Sequence, residues 1–306
     1  MERKILCRVL TGQTASGKTA LSVRLAKEMG WEIISMDSMQ IYRRMNIGTA
    51  KPDKSEMNGV RHHMIDICEP DENYSVADYR EAAERIVREL RTNENKEVLF
   101  VGGTGLYLHA MIHALPMGNV PADAELRRKL NKKATEEGGK ECLHALLQEL
   151  DPETAGRLPV NDIRRVIRAI EVTKLTGIPF SQQPVQEQTS EFDWRIAATS
   201  VPRDILYRRI NDRVDGMIRA GLFDEVRQLL DEGVPVSAQS MSGLGYKEMI
   251  PCVRGLCSSE EAAYRIALGS RHYAKRQETF LKRESGIVYF DALAEDAYSK
   301  LKDILA

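Results

Sequence analysis

The 306-residue chain contains no apolar run of eighteen residues, so nothing in it reads as a membrane span. The opening Met1-Glu-Arg-Lys4 lacks the apolar core and cleavage site of a signal peptide. The cysteines, Cys7, Cys68, Cys142, Cys252 and Cys257, are odd in number and scattered. Cys252 and Cys257 are the nearest pair, with no further Cys or His at zinc spacing, so free thiols are expected rather than a disulfide framework. Together these absences make a cytoplasmic protein the expectation. An excess of one charge is also missing: the formal net charge is −1, which by itself disfavours a nucleic-acid partner. The average hides clusters, however. Arg164, Arg165 and Arg168 lie close together, as do Arg271, Lys275, Arg276, Lys282 and Arg283. Such runs are usually solvated helix faces.

What is present is a regular alternation. "KILCRVL" reads as a strand running to Gly12, followed by a helix from Lys18 to about Met29 that Gly30 stops. "WEIISM" and "HMIDIC" read as further strands, and Ser75 with Asp78 forms a capping box opening the helix "VADYREAAERIVRELR". "EVLFVGG" is a fourth strand and "TGLYLHAMIHAL" the next helix. This is the pattern of an α/β fold with a parallel sheet flanked by helices. It stops near Pro116. From there to about Glu191 only helical periodicity is found, with caps expected at Asp123, Asp151 and Asn161 and a stop at Gly177. "WRIAATSV" then resumes as a strand, before helices over 203–219, 222–232 and 259–284, a strand "IVYF" and a last helix. The expected organisation is therefore a P-loop α/β core domain, 1–116 with 192–306, carrying an all-helical insertion domain, 117–191.

Gly12-Gln13-Thr14-Ala15-Ser16-Gly17-Lys18-Thr19 matches the P-loop pattern at every fixed position and sits between a strand and a helix. Its glycines let backbone N–H groups turn on phosphate oxygens, and the helix N-terminus adds its dipole. Lys18 offers a cation and Thr19 a hydroxyl for Mg2+. The loop suits a diphosphate or a nucleotide such as ATP. A hydrolytic NTPase needs an apolar strand ending in Asp to help hold the metal and order water. Here that strand ends in Gly102-Gly103-Thr104, and the glycines beside Thr104 suit close contact with a diphosphate. The carboxylate available at a strand end is Asp37, heading "DSMQ". Asp37 can take a proton from an incoming nucleophile, and Gln40 can offer a donor and an acceptor to a base edge, although Asp37 could instead cap a turn. Group transfer to an acceptor is favoured over hydrolysis.

In order along the chain stand "GQTASGKT", "DSMQIYRRMNIGTAKP", "HHMIDI", "VGGTGLY", "NDIRRVIRAIEV", "GLGYKE" and "KRQETFLKR". In these blocks the chain resembles the bacterial tRNA dimethylallyltransferases, from about residue 5 to residue 285. That resemblance implies transfer of a dimethylallyl group from dimethylallyl diphosphate to N6 of the adenosine just 3′ of the anticodon, tRNA position 37. It makes diphosphate the leaving group, bridged by Mg2+, with Asp37 as general base. Lys18, Thr19, Thr104 and Arg213 in "NDRVDGMIRAGLFDEV" would stabilise the departing charge. The resemblance further implies tRNA contacts from Asp37, Ser38, Met39, Gln40 and Thr104, and from Arg127 with Arg164, Arg165, Val166, Ile167 and Arg168 on the insertion. It adds Ser242, Gly243, Leu244, Gly245, Tyr246 and Lys247. It also adds Lys275, Arg276, Gln277, Glu278, Thr279, Phe280, Leu281 and Lys282. The chain departs from the family pattern at Gln13, where Pro is commonest, and at Phe280, often Trp.

A base in an RNA loop must leave its stack to reach a P-loop, so base flipping is expected. On their own spacing, Ile163, Val166, Ile167 and Ile170 form the packing stripe of their helix while Arg164, Arg165 and Arg168 form a basic patch. Tyr273 and Phe280 read as core packing, and Trp31 and Trp194 as packing residues at strand starts. His109 and His113 read as a boundary pair rather than a metal site, and His62-His63 carries no assigned chemistry. Alternative readings are a small-molecule P-loop kinase, an isopentenyltransferase acting on free adenine nucleotides, and a non-catalytic RNA-binding protein. A monomer is the expected state.

Overall fold

The computed structural model describes residues 4–113, 120, 123–184 and 191–306. The chain forms two compact units, Met1–Ile112 with Thr189–Ala306, and His113–Gln188. The first holds a six-stranded sheet built from β1 (Ile5–Gly12), β2 (Glu32–Ser35), β3 (His62–His63), β4 (Val98–Val101), β5 (Phe192–Ser200) and β6 (Ile287–Asp291). Its order is β3-β2-β4-β1-β5-β6, and every pairing is parallel. The α/β parallel sheet expected from the sequence is therefore the fold.

Period-two alternation explains how the sheet packs on both faces. Val9, Ile34 and Phe100 point into one buried cluster with Tyr79 and Tyr107. Their neighbours Leu10, Ile33 and Leu99 point into another, with Leu25, Trp31 and Leu301. The helices covering these faces include α1 (Lys18–Met29), α3 (Val76–Glu89), α4 (Gly105–Ile112) and α13 (Ala297–Leu305), with the short α2 (Lys54–Met57) beside α1. Charge also lies inside, as at β1. Arg8 of β1 is 5% exposed; its guanidinium stacks over Trp31, lies 3.0 Å from Glu97, and its Nε donates to the Leu305 carbonyl at 2.6 Å. A buried cation persists because a carboxylate and a carbonyl meet it there.

Leu10 stands level with Val101 of β4 and Ala197 of β5, so the C-terminal ends of these strands open at one edge. That edge is where open parallel sheets place their ligands. The remaining helices of this unit are α9 (Arg203–Arg219), α10 (Leu222–Asp231), α11 (Tyr246–Val253) and α12 (Ser259–Leu281). They enclose a third cluster with Ile41, Tyr42 and Met45 from the loop after β2.

The second unit packs α5 (Ala124–Ala134), α6 (Gly139–Leu150), α7 (Pro152–Arg157) and α8 (Ile163–Thr176) around Leu130, Leu143, Leu147, Val166, Ile167 and Ile170. Asp123 and Asp151 cap α5 and α7 as expected. Asp162, not Asn161, caps α8, accepting the Arg165 N–H.

Three expectations on elements need correction. "HMIDIC" is not a strand beyond His63, because Met64 and Asp66 take φ of 62° and 54°, which breaks an extended ladder. α11 is a helix that the breaker residues Gly243, Gly245 and Pro251 concealed. The long C-terminal helix ends at Leu281 rather than Glu284.

Candidate active site

β1 delivers the chain to Gly12, whose φ of 140° admits no ordinary side chain. A Cβ there would stand 2.0 Å from Thr199 Oγ1, and that hydroxyl lies 2.7 Å from Ser16 Oγ, fastening the loop to β5. Ala15 takes φ 61°, a left-handed turn that a non-glycine residue adopts at a cost and that helps curl the loop. Lys18 opens α1, and its Nζ donates to the carbonyls of Gly12 and Gln13 at 3.0 and 2.6 Å. Burial of this ammonium, with Arg213 nearby, lowers its pKa to about 7 against the pull of Asp37.

Thr14, Ala15, Ser16, Gly17, Lys18 and Thr19 bound a cavity of about 720 Å³ that Asp37, Gln40, Gly102, Gly103, Arg209, Arg213, Tyr273 and Gln277 also line. Asp37 follows β2. Its Oδ1 accepts the N–H groups of Met39 and Gln40 at 2.9 and 3.4 Å, while Oδ2 accepts no hydrogen bond among the described residues. The carboxylate thus both caps its own turn and keeps one oxygen for the cavity. The Thr104 hydroxyl accepts the Ser38 N–H at 3.1 Å, joining the turn after β2 to the end of β4. Arg213 of α9 donates to Thr14 Oγ1 at 3.1 Å and to the Thr49 carbonyl at 3.4 Å. Burial lowers its pKa and Asp37 opposes that shift. So Lys18, Arg213 and Asp37, distant in sequence, meet around one space, while Thr104 is tied to the Asp37 turn through Ser38.

Some expectations are altered. Gln40 does not offer a free amide: its Oε1 accepts from Ser35 Oγ at 3.2 Å, and its Nε2 reaches the carbonyls of Thr49 and Ala50 at 3.4 Å. The glycines around Thr104 serve protein packing. A Cβ on Gly102 would meet the Met36 carbonyl at 2.2 Å, one on Gly103 the Gln277 amide at 2.2 Å, and one on Gly105 the Phe280 ring at 2.4 Å. Gln277 is buried, donating to the Gly103 carbonyl at 2.8 Å and accepting the Thr14 N–H at 2.8 Å. It is a P-loop brace rather than an RNA-facing side chain. The side chains of Val166, Ile167, Tyr246 and Leu281 are likewise in hydrophobic cores, leaving them no face for RNA. The helical repeat explains this: they occupy the packing stripe between exposed neighbours.

Tyr273 is half-buried and belongs to the cavity rather than to the core. Burial, with Asp37 nearby, pushes its phenol up to about 12, and the neighbouring Thr104 and Gln277 side chains pull the other way. Arg209 lies nearby, with its Nη1 3.9 Å from where a Gly17 side chain would start. It makes no hydrogen bond or ion pair among the described residues. Sequence reasoning missed both. Tyr273 and Gln277 stand at i, i+4 on α12, so a polar residue on the Tyr273–Phe280 stripe was the available signal.

The expected RNA-contacting cations are distributed less uniformly. Lys275 and Lys282 border a second cavity of about 160 Å³ beside Gly12 and Gln13, with Lys282 paired to Glu278 at 2.6 Å. In the helical unit, the fully buried Glu171 accepts Arg127 Nε at 2.7 Å, Arg168 Nη1 at 2.6 Å and the Asp123 N–H at 2.9 Å. Arg165 pairs with Asp162. Arg164 is exposed and has no ion pair among the described residues. His109 holds Glu284 at 2.6 Å and meets the Phe280 ring edge-on.

The IPP transferase family profile matches residues 40–284. A tRNA dimethylallyltransferase of Shouchella clausii is 42% identical over 294 residues, covering 96% of this chain and 94% of that protein. The crystal structure of a full-length tRNA isopentenylpyrophosphate transferase from Bacillus halodurans superposes with a TM-score of 0.70 at 40% identity. It covers 99% of this chain and 95% of that one. A eukaryotic dimethylallyltransferase solved acting on tRNA gives a TM-score of 0.81 at 25% identity, covering 98% and 78%. With a matching profile and relatives aligned along nearly its whole length, the chain belongs to the IPP transferase family.

Proposed function

We propose that this enzyme transfers a dimethylallyl group from dimethylallyl diphosphate to N6 of the adenosine just 3′ of the anticodon in tRNA, releasing diphosphate. The observation that carries the reading is the pairing of a P-loop with Asp37 across one cavity, where the β4 end presents glycine and threonine instead of a carboxylate. The names of the relatives agree with it.

In this reading the P-loop N–H groups, Lys18 and Arg213 hold the diphosphate. The C1–O bond breaks, the electron pair leaves with the diphosphate, and cationic partners stabilise that developing charge. The adenosine amine forms the new N6–C1 bond and loses a proton to Asp37, through Oδ2. Tyr273 walls the space and helps keep water from the allylic cation. Thr19 lines the cavity with an exposed hydroxyl that makes no hydrogen bond among the described residues. With Asp37 close by, these oxygen donors fit a hard cation. Thr19 would hold Mg2+, and Mg2+ when bound would offset diphosphate charge. The exposed Arg164 and Lys275 are assigned to RNA phosphates. We take the enzyme to be a cytoplasmic monomer.

The test is mass analysis of the anticodon-adjacent nucleoside after incubation with tRNA and dimethylallyl diphosphate. A gain of one dimethylallyl group is expected with tRNA and not with AMP; an unmodified adenosine overturns the assignment. Asp37→Ala should lower transfer by on the order of 10²–10⁴-fold, as removing a general base does. It should leave tRNA binding intact, and unaltered transfer would remove Asp37 from that role.

A further inference from the structure

Glu225 of α10 does not line the main cavity, yet it organises part of the cavity wall. Its Oε2 accepts the N–H groups of Asn46 and Ile47 at 2.9 and 2.8 Å, and its Oε1 accepts that of Gly48 at 3.1 Å. Three successive backbone N–H groups converging on one anion form a nest, the geometry usually seen around bound phosphate. Here a protein carboxylate occupies it. The fully buried Tyr246 of α11 donates its hydroxyl to Glu225 Oε1 at 2.6 Å, and its ring lies where a Gly48 side chain would be, 2.5 Å from that Cβ position. Glycine at 48 is what lets the ring close over the turn.

The far side of this turn faces the chemistry. The Thr49 carbonyl accepts both Arg213 Nη2 and Gln40 Nε2, and the Ala50 carbonyl accepts Gln40 Nε2. Arg213 reaches Thr14 of the P-loop with its other nitrogen, and Gln40 lies on the Asp37 turn. A chain of contacts therefore runs from Glu225 through the 46–50 turn to the guanidinium beside the phosphate cradle. A side chain that must meet a leaving group within a fraction of an ångström depends on the carbonyl that holds its other end.

We propose that Glu225, backed by Tyr246, is a positioning residue that fixes the 46–50 turn and thereby aims Arg213 at the diphosphate site, with Gln40 tying the same turn to that of Asp37. This rests on the reading of the cavity as a diphosphate seat, so its first readout is binding of inorganic pyrophosphate, which needs no tRNA. Glu225→Gln keeps the size of the side chain, but an amide NH₂ cannot accept the N–H groups the carboxylate accepts. It should weaken pyrophosphate binding and lower kcat/KM for transfer by on the order of tenfold to a hundredfold. The loss in pyrophosphate affinity should largely disappear in an Arg213→Ala background, because two residues acting through one contact are not additive. Tyr246→Phe, which retains the ring against Gly48, should give a smaller loss with the same non-additivity, and serves if Glu225→Gln does not fold. A loss that is additive with Arg213→Ala, or a lowered Tm with pyrophosphate affinity unchanged, overturns the positioning role. Failure of the unsubstituted enzyme to bind pyrophosphate overturns the seat itself.

Discussion

Lys18 shows how a single side chain is prepared for an anion. Without one, its ammonium is buried with only loop carbonyls and the Asp37 carboxylate of the same cavity to support the charge, and its pKa falls to about 7. Because the folded value lies below the unfolded one, the unfolded chain binds more protons between about pH 7 and 10.5. Stability of the ligand-free enzyme should therefore rise with pH across that window and be lost as pH falls toward 7. A bound diphosphate favours the charged form, so binding above pH 7 takes up a proton and weakens as pH rises. Pyrophosphate titrates in the same range, and comparing the enzyme with Lys18→Arg, which stays charged, separates the two. The expected result in calorimetry is an extra loss of affinity with pH in the lysine enzyme alone; identical pH profiles would contradict it. Lys18 and Asp37 were legible in the sequence because their chemistry is local to a motif. Gln277, Tyr273 and Glu225 were not, since each acquires its meaning from a group far away in the chain: the Gly103 carbonyl, the Thr104 side chain and the Asn46 N–H.

At the scale of elements, the β4–α4 junction carries a distinction that residue types alone conceal. Gly102 and Gly103 look equivalent in "VGGTG", but their missing side chains are replaced by different neighbours. At Gly102 the neighbour is the Met36 backbone, one residue before Asp37, and it cannot turn aside. At Gly103 the nearest atom is the end of the Gln277 side chain, although the Gly12 carbonyl also lies 3.0 Å away. Gly102→Ala should therefore destabilise the fold by ~2–3 kcal/mol, within the range for overpacking, and shift the Asp37 turn. Gly103→Ala should cost less stability and instead weaken pyrophosphate binding, because it displaces the brace on Thr14. Denaturant unfolding and pyrophosphate titration of the two variants would check this; equal effects on both readouts would show that the junction acts as one rigid block. The same locality decides which elements the sequence revealed. Alternation of apolar runs and capped helices is written in neighbouring residues, and β1, β4, α3 and the parallel sheet follow from it. The bend at Met64 and Asp66 and the helix α11 follow from tertiary packing, which overrode an apolar run in one case and breaker residues in the other.

For the whole molecule the question is how a chain of net charge −1 engages a polyanion. Counting basic residues overstates what is available, because many are committed within the protein. Arg127 and Arg168 neutralise Glu171, whose buried carboxyl is raised by desolvation but brought below its usual range by the bonds from these two arginines. Arg165 is held by Asp162, and Lys282 by Glu278. Arg164 on the helical unit and Lys275 on α12 are both exposed, with no ion pair among the described residues. Each phosphate neutralised releases counterions, so the number of contacts is read from the dependence of affinity on salt. Arg164→Ala and Lys275→Ala should each weaken tRNA binding and reduce the slope of log affinity against log salt by about one, with thermal stability unchanged. Arg127→Ala should act differently. It leaves a buried carboxylate short of a partner, and stability of the helical unit should fall by ~3 kcal/mol where Glu171 is ionised. Salt titrations of tRNA affinity, run beside thermal unfolding for the three variants, separate RNA contact from internal neutralisation. If Arg164→Ala and Lys275→Ala leave the slope unchanged, these exposed basic faces are solvated surface and the RNA is held elsewhere.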